Sequence, residues 1–252
     1  SRAFIPKDAQ LDLPGRFTMR SREDADKFKN YLDSTQLPAE VQHVVIVGGG
    51  LLGLELAAAL QHTQVKVTIV QRASRLMERQ LDLVSSKLLS LDVQERGIHI
   101  YFDNEVSTVF DDPTSKNLNI TLKSGKTIQA NAIVYAIGTQ PNIKIARENG
   151  INCGRGIKVN KHLQTNFPNI FAIGEIAEFE NQLFGITSAA EEQAAILANF
   201  ILGDISSTYS GSVLMNILKF KDLELCSIGD IIIPENEEGY EEIIFTDLSR
   251  RY

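Results

Sequence analysis

Three glycines, Gly48, Gly50 and Gly53, are the residues of this chain whose type and spacing could do chemistry. They lie in Val44-Val45-Ile46-Val47-Gly48-Gly49-Gly50-Leu51-Leu52-Gly53-Leu54-Glu55-Leu56-Ala57. Apolar, mostly β-branched residues run into a G-x-G-x-x-G, and an alanine- and leucine-rich helical pattern follows at once. That order suits the binding of a dinucleotide. A strand would deliver the chain to a tight turn at Gly48. Gly50, without a side chain, would let a pyrophosphate approach the backbone, and Gly53 would let the new helix pack closely on the strand. The unpaired N–H groups of Leu51 and Leu52, at the positive end of the helix dipole, would then face the phosphates. This is chemistry of holding and orienting a cofactor.

Around the turn, residues 43–48 read as a first strand, 51–62 as the helix and 65–70 as a second strand. Sites for NAD usually carry an acid about twenty residues past the glycines, bonded to the adenine ribose. Here Gln71 stands there, followed by Arg72 and Arg75. Loss of the acid removes repulsion against a 2′-phosphate, and the arginines can pair with one. Both arginines can equally be solvated, and glutamine can bond ribose hydroxyls, so NADH and NADPH both stay open.

Further along, 80–96 reads as a helix closed by Gly97 and 98–102 as a third strand. Upstream, 21–33 reads as an amphipathic helix capped by Ser21, with Glu23 and Asp24 in its first turn. Three short strands, 105–110, 118–122 and 126–130, suggest an antiparallel meander inserted into a parallel fold. The apolar run 132–137 reads as a buried parallel strand ending at Gly138. Residues 170–173 read as another, ending at Gly174-Glu175, before an alanine-rich helix over 188–202 stopped by Gly203. Two β-like segments, 228–233 and 241–246, follow. The expected fold class is α/β, a Rossmann-like domain with a parallel sheet and an inserted antiparallel meander.

A hydrophobic fraction of 43% suits a globular chain of 252 residues with a core. The net charge of −7, with lysine and arginine scattered, argues against a nucleic-acid partner. No apolar run approaches the roughly 20 residues that cross a bilayer. Cys153 and Cys226 are far apart and read as reduced thiols of a cytoplasmic protein. His43, His62, His99 and His162 share no spacing, so a metal site is not expected.

Together these landmarks resemble the pyridine nucleotide–disulfide oxidoreductase superfamily. Within it, the chain is similar to the reductase part of assimilatory NAD(P)H nitrite reductase large subunits. Leu76-Met77-Glu78-Arg79-Gln80-Leu81-Asp82, Gln164-Thr165-Asn166, Phe171-Ala172-Ile173-Gly174-Glu175, Phe184-Gly185, Leu218-Lys219-Phe220 and Ser227-Ile228-Gly229-Asp230 carry the likeness. Rubredoxin and ferredoxin reductases share most of these landmarks.

The resemblance implies hydride transfer from NAD(P)H to FAD. The electrons would pass on to an iron–sulfur and sirohaem domain or to a small redox protein. It implies part of an FAD-binding domain at 1–40 and an NAD(P)H domain at 41–141. The FAD domain would resume at 142–210, and an interface domain of a homodimer would begin at 211–252. Glu55, which by itself is a charge favoured near a helix N-terminus, would reach the nicotinamide carboxamide. Gly138 would lie in a second nucleotide-contacting turn. Gly174 and Glu175 would contact the ribityl chain and phosphate of FAD, Glu175 replacing the aspartate usual there. The ends read as cuts inside a longer protein that remove the main FAD-phosphate loop. The expectation is a fragment with an incomplete FAD site, colourless and inactive with NADH by itself. A sensor or interaction domain that binds NAD(H) without turnover is the alternative of another class.

Overall fold

Side chains that alternate between two buried faces explain the larger part of the molecule. The computed structural model describes residues 1–115 and 117–231, with positions 239, 241, 243, 245 and 247 beyond. Five strands form a wholly parallel sheet: β1 (Arg16–Thr18), β2 (His43–Val47), β3 (Lys66–Val70), β4 (His99–Tyr101) and β8 (Ala132–Tyr135), in the order β1-β8-β2-β3-β4. Their centres are apolar apart from Thr68, because both faces are covered.

On one face Val44, Ile46, Ile69, Ala132 and Val134 pack with helices α1 (Arg22–Ser34), α2 (Leu51–Gln61) and α3 (Leu83–Glu95). On the other, Val45, Val70, Ile133 and Tyr135 pack with Val109, Ile120 and Ile128. Those residues belong to an antiparallel meander of β5 (Val106–Asp111), β6 (Leu118–Leu122) and β7 (Thr127–Ala130). The insertion anticipated from the change of period is therefore the second covering layer of the sheet.

Local signals place most of these elements. Ser21 caps α1 in a capping box with Asp24, an arrangement typically worth about 1 kcal/mol. Helix α3 begins at Leu83, where a helix from residue 80 was expected. The side chain of Asp82 accepts from Ser85 N–H at 2.8 Å and starts the helix there, while 76–81 are spent on the turn described below.

The chain divides into two compact units. One holds residues 3–138, 217–226 and the described residues from 230 on, and the other holds 1–2, 139–216 and 227–229. This division differs from the expected domain boundaries at two places. Residues 16–40 do not separate from the nucleotide fold, since β1 pairs with β8 as an edge strand of its sheet. In the hairpin β12 (Met215–Phe220) and β13 (Leu223–Ile228), Leu218 and Phe220 are buried in the core of α2 and α3. Arg96, at the end of α3, reinforces this by lying 5.2 Å over the Phe220 ring.

The second unit holds α4 (Lys144–Glu148), a small sheet of β9 (Ile157–Val159), β10 (Ala177–Phe179) and β11 (Gln182–Leu183), and α5 (Thr187–Ile201). The strand expected over 170–173 is absent; only an isolated bridge joins Phe171 to Gln164. Of the segment 228–233, Ile228 ends β13, 229–231 are not strand, and 232–233 lie outside the described residues; half of 241–246 lies outside them too.

Candidate functional site

Two of the three spaced glycines, Gly48 and Gly53, have a steric reason in the structure, and the remaining one, Gly50, does not. Gly48 has φ +110°, and a Cβ there would lie 2.5 Å from the Ala136 carbonyl oxygen of the neighbouring strand. A Cβ on Gly53 would overlap the Gly48 carbonyl oxygen, so helix α2 can approach its own turn only without one. Around Gly50, by contrast, a Cβ would meet nothing within 4 Å. The first and third glycines are demanded by the fold, and the second leaves open space.

The backbone donors of the turn divide in the same way. Gly48 N–H donates to Val70 C=O at 2.9 Å, and Gly49 N–H donates to the Gln71 side-chain oxygen at 2.8 Å. The N–H groups of Gly50, Leu51, Leu52 and Gly53 have no acceptor among the described residues. Gly50 is the N-cap of α2 and supplies no side chain to satisfy them. Four donors and the positive end of an 11-residue helix thus converge on one surface, an arrangement suited to an anion.

Sequence reasoning missed what holds this turn in place. Met77 N–H donates to Gly49 C=O at 3.0 Å, and Leu76 and Met77 are buried against the turn. Leu76 leaves no room for a side chain at residue 49. Ser86, in α3, donates from Oγ to Leu76 C=O at 2.7 Å. These residues carry no periodicity that marks them; the only signal was their membership of the 76–82 motif.

Gln71 is 8% exposed, and its amide is engaged at both ends. Oε1 accepts from Gly49, and Nε2 donates to Arg75 C=O at 3.1 Å. Arg72 is exposed, and Arg75 is half-buried, donating to Glu78 C=O at 3.0 Å. Glu55 stands a full turn into α2, not in its first turn, so the expected interaction with the helix N-terminus is weaker than a first-turn charge would have. One of its carboxylate oxygens accepts from Lys219 N–H of β12 at 3.3 Å. Gly138 follows β8 with φ +102° and open space around it.

Gly174 and Glu175 lie in the second unit, in a single 3₁₀ turn with φ +76° at Gly174. Gly174 N–H donates to the Oε1 of Gln193, a fully buried residue of α5, at 2.7 Å. Glu175 accepts from the hydroxyls of Ser1 and Thr139. Helix α5 begins at Thr187, one residue before the expected start, and its N-terminus has no side-chain cap. Among the described residues there is no group of three metal-ligating side chains, and no helix is long and apolar enough to cross a membrane.

The strand, glycine turn and uncapped helix on a parallel sheet lie within the reach of a known family. Its sequence model, that of the pyridine nucleotide-disulphide oxidoreductases, covers residues 2–194. The chain belongs to this family. Among its relatives is the nitrite reductase [NAD(P)H] of Bacillus subtilis (strain 168), 35% identical over 231 residues, covering 90% of this chain and 28% of the relative. The assimilatory nitrate reductase electron transfer subunit of the same organism is 32% identical over 246 residues, covering 94% and 31%. The solved structure of reduced Bacillus anthracis CoADR-RHD superposes with a TM-score of 0.81 at 26% identity, covering 90% of this chain and 41% of that one. The chain spans less than a third of the length of the two curated relatives.

Proposed function

We propose that this chain is the NAD(P)H-binding part of a flavin-dependent reductase that serves a nitrite- or nitrate-reducing centre carried elsewhere. The observation that carries this reading is the set of four acceptor-free N–H groups at Gly50, Leu51, Leu52 and Gly53 beside the open space at Gly50. They would hold the cofactor pyrophosphate without bringing a charged side chain into the site. Glu55, oriented through one oxygen by Lys219, would offer the other to the nicotinamide carboxamide. Gly138 would border the nucleotide, with Gln71 and Arg72 at its adenine-ribose end. In the second unit Gly174 and Glu175 would hold the oxygen-rich chain of FAD. When bound, the flavin accepts a hydride from the nicotinamide and releases electrons one at a time. The protein positions and shields these groups. The names of the two relatives, a nitrite reductase and a nitrate reductase electron transfer subunit, support the assimilatory reading.

Titration of the 252-residue chain with NADH, followed by the nucleotide's fluorescence, tests the binding half. Saturable binding at one site per chain is expected, and its absence overturns the reading. The acceptor half is tested by deleting the gene: unimpaired growth on nitrite as nitrogen source would exclude the assignment to nitrite assimilation.

A further inference from the structure

The side chain at residue 71 does two jobs that a carboxylate cannot do together. Its carbonyl oxygen accepts from Gly49 N–H, which any acid could imitate. Its amide nitrogen donates to Arg75 C=O, and an ionised acid has no hydrogen to give there. A second carboxylate oxygen at that place would face the Arg75 carbonyl, acceptor against acceptor. The backbone of Gln71 is fixed as well: its N–H donates to Tyr101 C=O at 2.8 Å, and its own C=O accepts from Asn104 N–H at 3.1 Å. The amide therefore joins the glycine turn to the loop of residues 72–76 from a nearly immobile base.

We propose that Gln71 is a neutral two-ended clasp that positions the glycine turn and leaves the adenine-ribose end without a carboxylate, so that the site takes NADPH as well as NADH. This rests on the nucleotide reading above. The clasp uses one hydrogen of the amide nitrogen and leaves the second for a ribose or phosphate oxygen. Arg72 is solvent-exposed on the same loop, within electrostatic reach of Glu105, and would turn toward a 2′-phosphate. Glu105, on the following loop, is paired with Lys123, which offsets its charge. The absence of the usual acid is then a requirement of the Arg75 carbonyl.

The test measures dissociation constants for NADH and NADPH by nucleotide fluorescence in the unsubstituted chain, in Gln71→Glu and in Gln71→Leu, with circular dichroism as the check on folding. The unsubstituted chain should bind the two within about tenfold of each other. Gln71→Glu, which keeps the acceptor for Gly49 but adds a charge, should weaken NADPH at least about tenfold more than NADH. Gln71→Leu, which removes the clasp without adding charge, should weaken both by a similar factor. A hundredfold preference for NADH in the unsubstituted chain, or an unchanged ratio in Gln71→Glu, overturns the inference and leaves the nucleotide site standing. If neither nucleotide binds the unsubstituted chain, both the inference and the nucleotide reading fall.

Discussion

Gly50 and Gly53 are three positions apart in one motif, yet they answer to different demands, and substitution separates them. Gly53→Ala would drive a methyl group into the Gly48 carbonyl, backbone against backbone, with no flexible side chain to yield. A loss of about 2–4 kcal/mol is expected in urea unfolding. Gly50→Ala meets open space, so its stability should stay within about 0.5 kcal/mol of the unsubstituted chain. Its methyl group would instead stand where the pyrophosphate approaches, and NADH affinity should fall at least about tenfold. A Gly50→Ala protein with full NADH affinity would show that the phosphate does not lie against this residue. The same reasoning assigns Gln71 to positioning: the sequence located it correctly at the end of β3, but its burial and both of its partners belong to the fold.

At the level of elements, the meander is tied to the parallel sheet by polar groups as well as by its apolar face. Arg16 of β1 is buried and meets both carboxylate oxygens of Asp111 of β5, at 3.0 and 3.1 Å. The guanidinium holds the Asp111 carboxyl below the usual carboxylate range. Asp111→Asn would leave a buried cation with a neutral partner, at an expected cost of about 1–3 kcal/mol in thermal or urea unfolding. Because the folded-state pKa is lowered, the contribution of Asp111 is present above the unfolded value of 3.8 and is lost as pH falls.

His43 of β2 makes a second tie. Its Nδ1 lies 2.7 Å from Gln129 C=O of β7, which can only accept, so Nδ1 carries the hydrogen. Nε2, 2.9 Å from the Thr68 hydroxyl, then accepts. Burial pushes the imidazole below its ordinary value, so the unfolded chain binds the proton more readily than the folded one. The stability contributed by neutral His43 is therefore full above about 6.5 and declines as pH falls through that value. Urea midpoints at pH 5 and pH 8 should differ less in His43→Leu than in the unsubstituted chain. An equal difference would remove His43 as the cause.

For the molecule as a whole, the residues proposed to hold the nucleotide all lie within one compact unit, so a ligand bound there should report on that unit. NADH at a hundred times its dissociation constant should stabilise the folded state by about 2.7 kcal/mol. Hydrogen exchange should slow at residues 48–53 and 71–77, the turn and its clasp. A rise in melting temperature with protection located only in 139–216 would place the nucleotide elsewhere.

The sequence by itself determined the order of the elements, because local signals decide it. Apolar runs mark the buried parallel strands, Ser21 starts α1, and β-branched residues followed by glycine and a leucine-rich helix mark the turn. It also identified the family, through motifs spread along the chain. Tertiary structure alone decided which groups those elements bring together. The meander covers a sheet face, the edge strand at Arg16–Thr18 joins the nucleotide unit, and Leu218 and Phe220 return to its core. Residues 170–173 looked like a buried strand because they are apolar, but a strand needs a continuous ladder, and here a single bridge forms, between Phe171 and Gln164. Gln71, read from the sequence as able to bond the ribose, is held besides by Gly49 and Arg75, which only the fold could show. A side chain's type limits the bonds it can make, and only the packed chain decides whether a cofactor or a neighbouring loop is there to receive them.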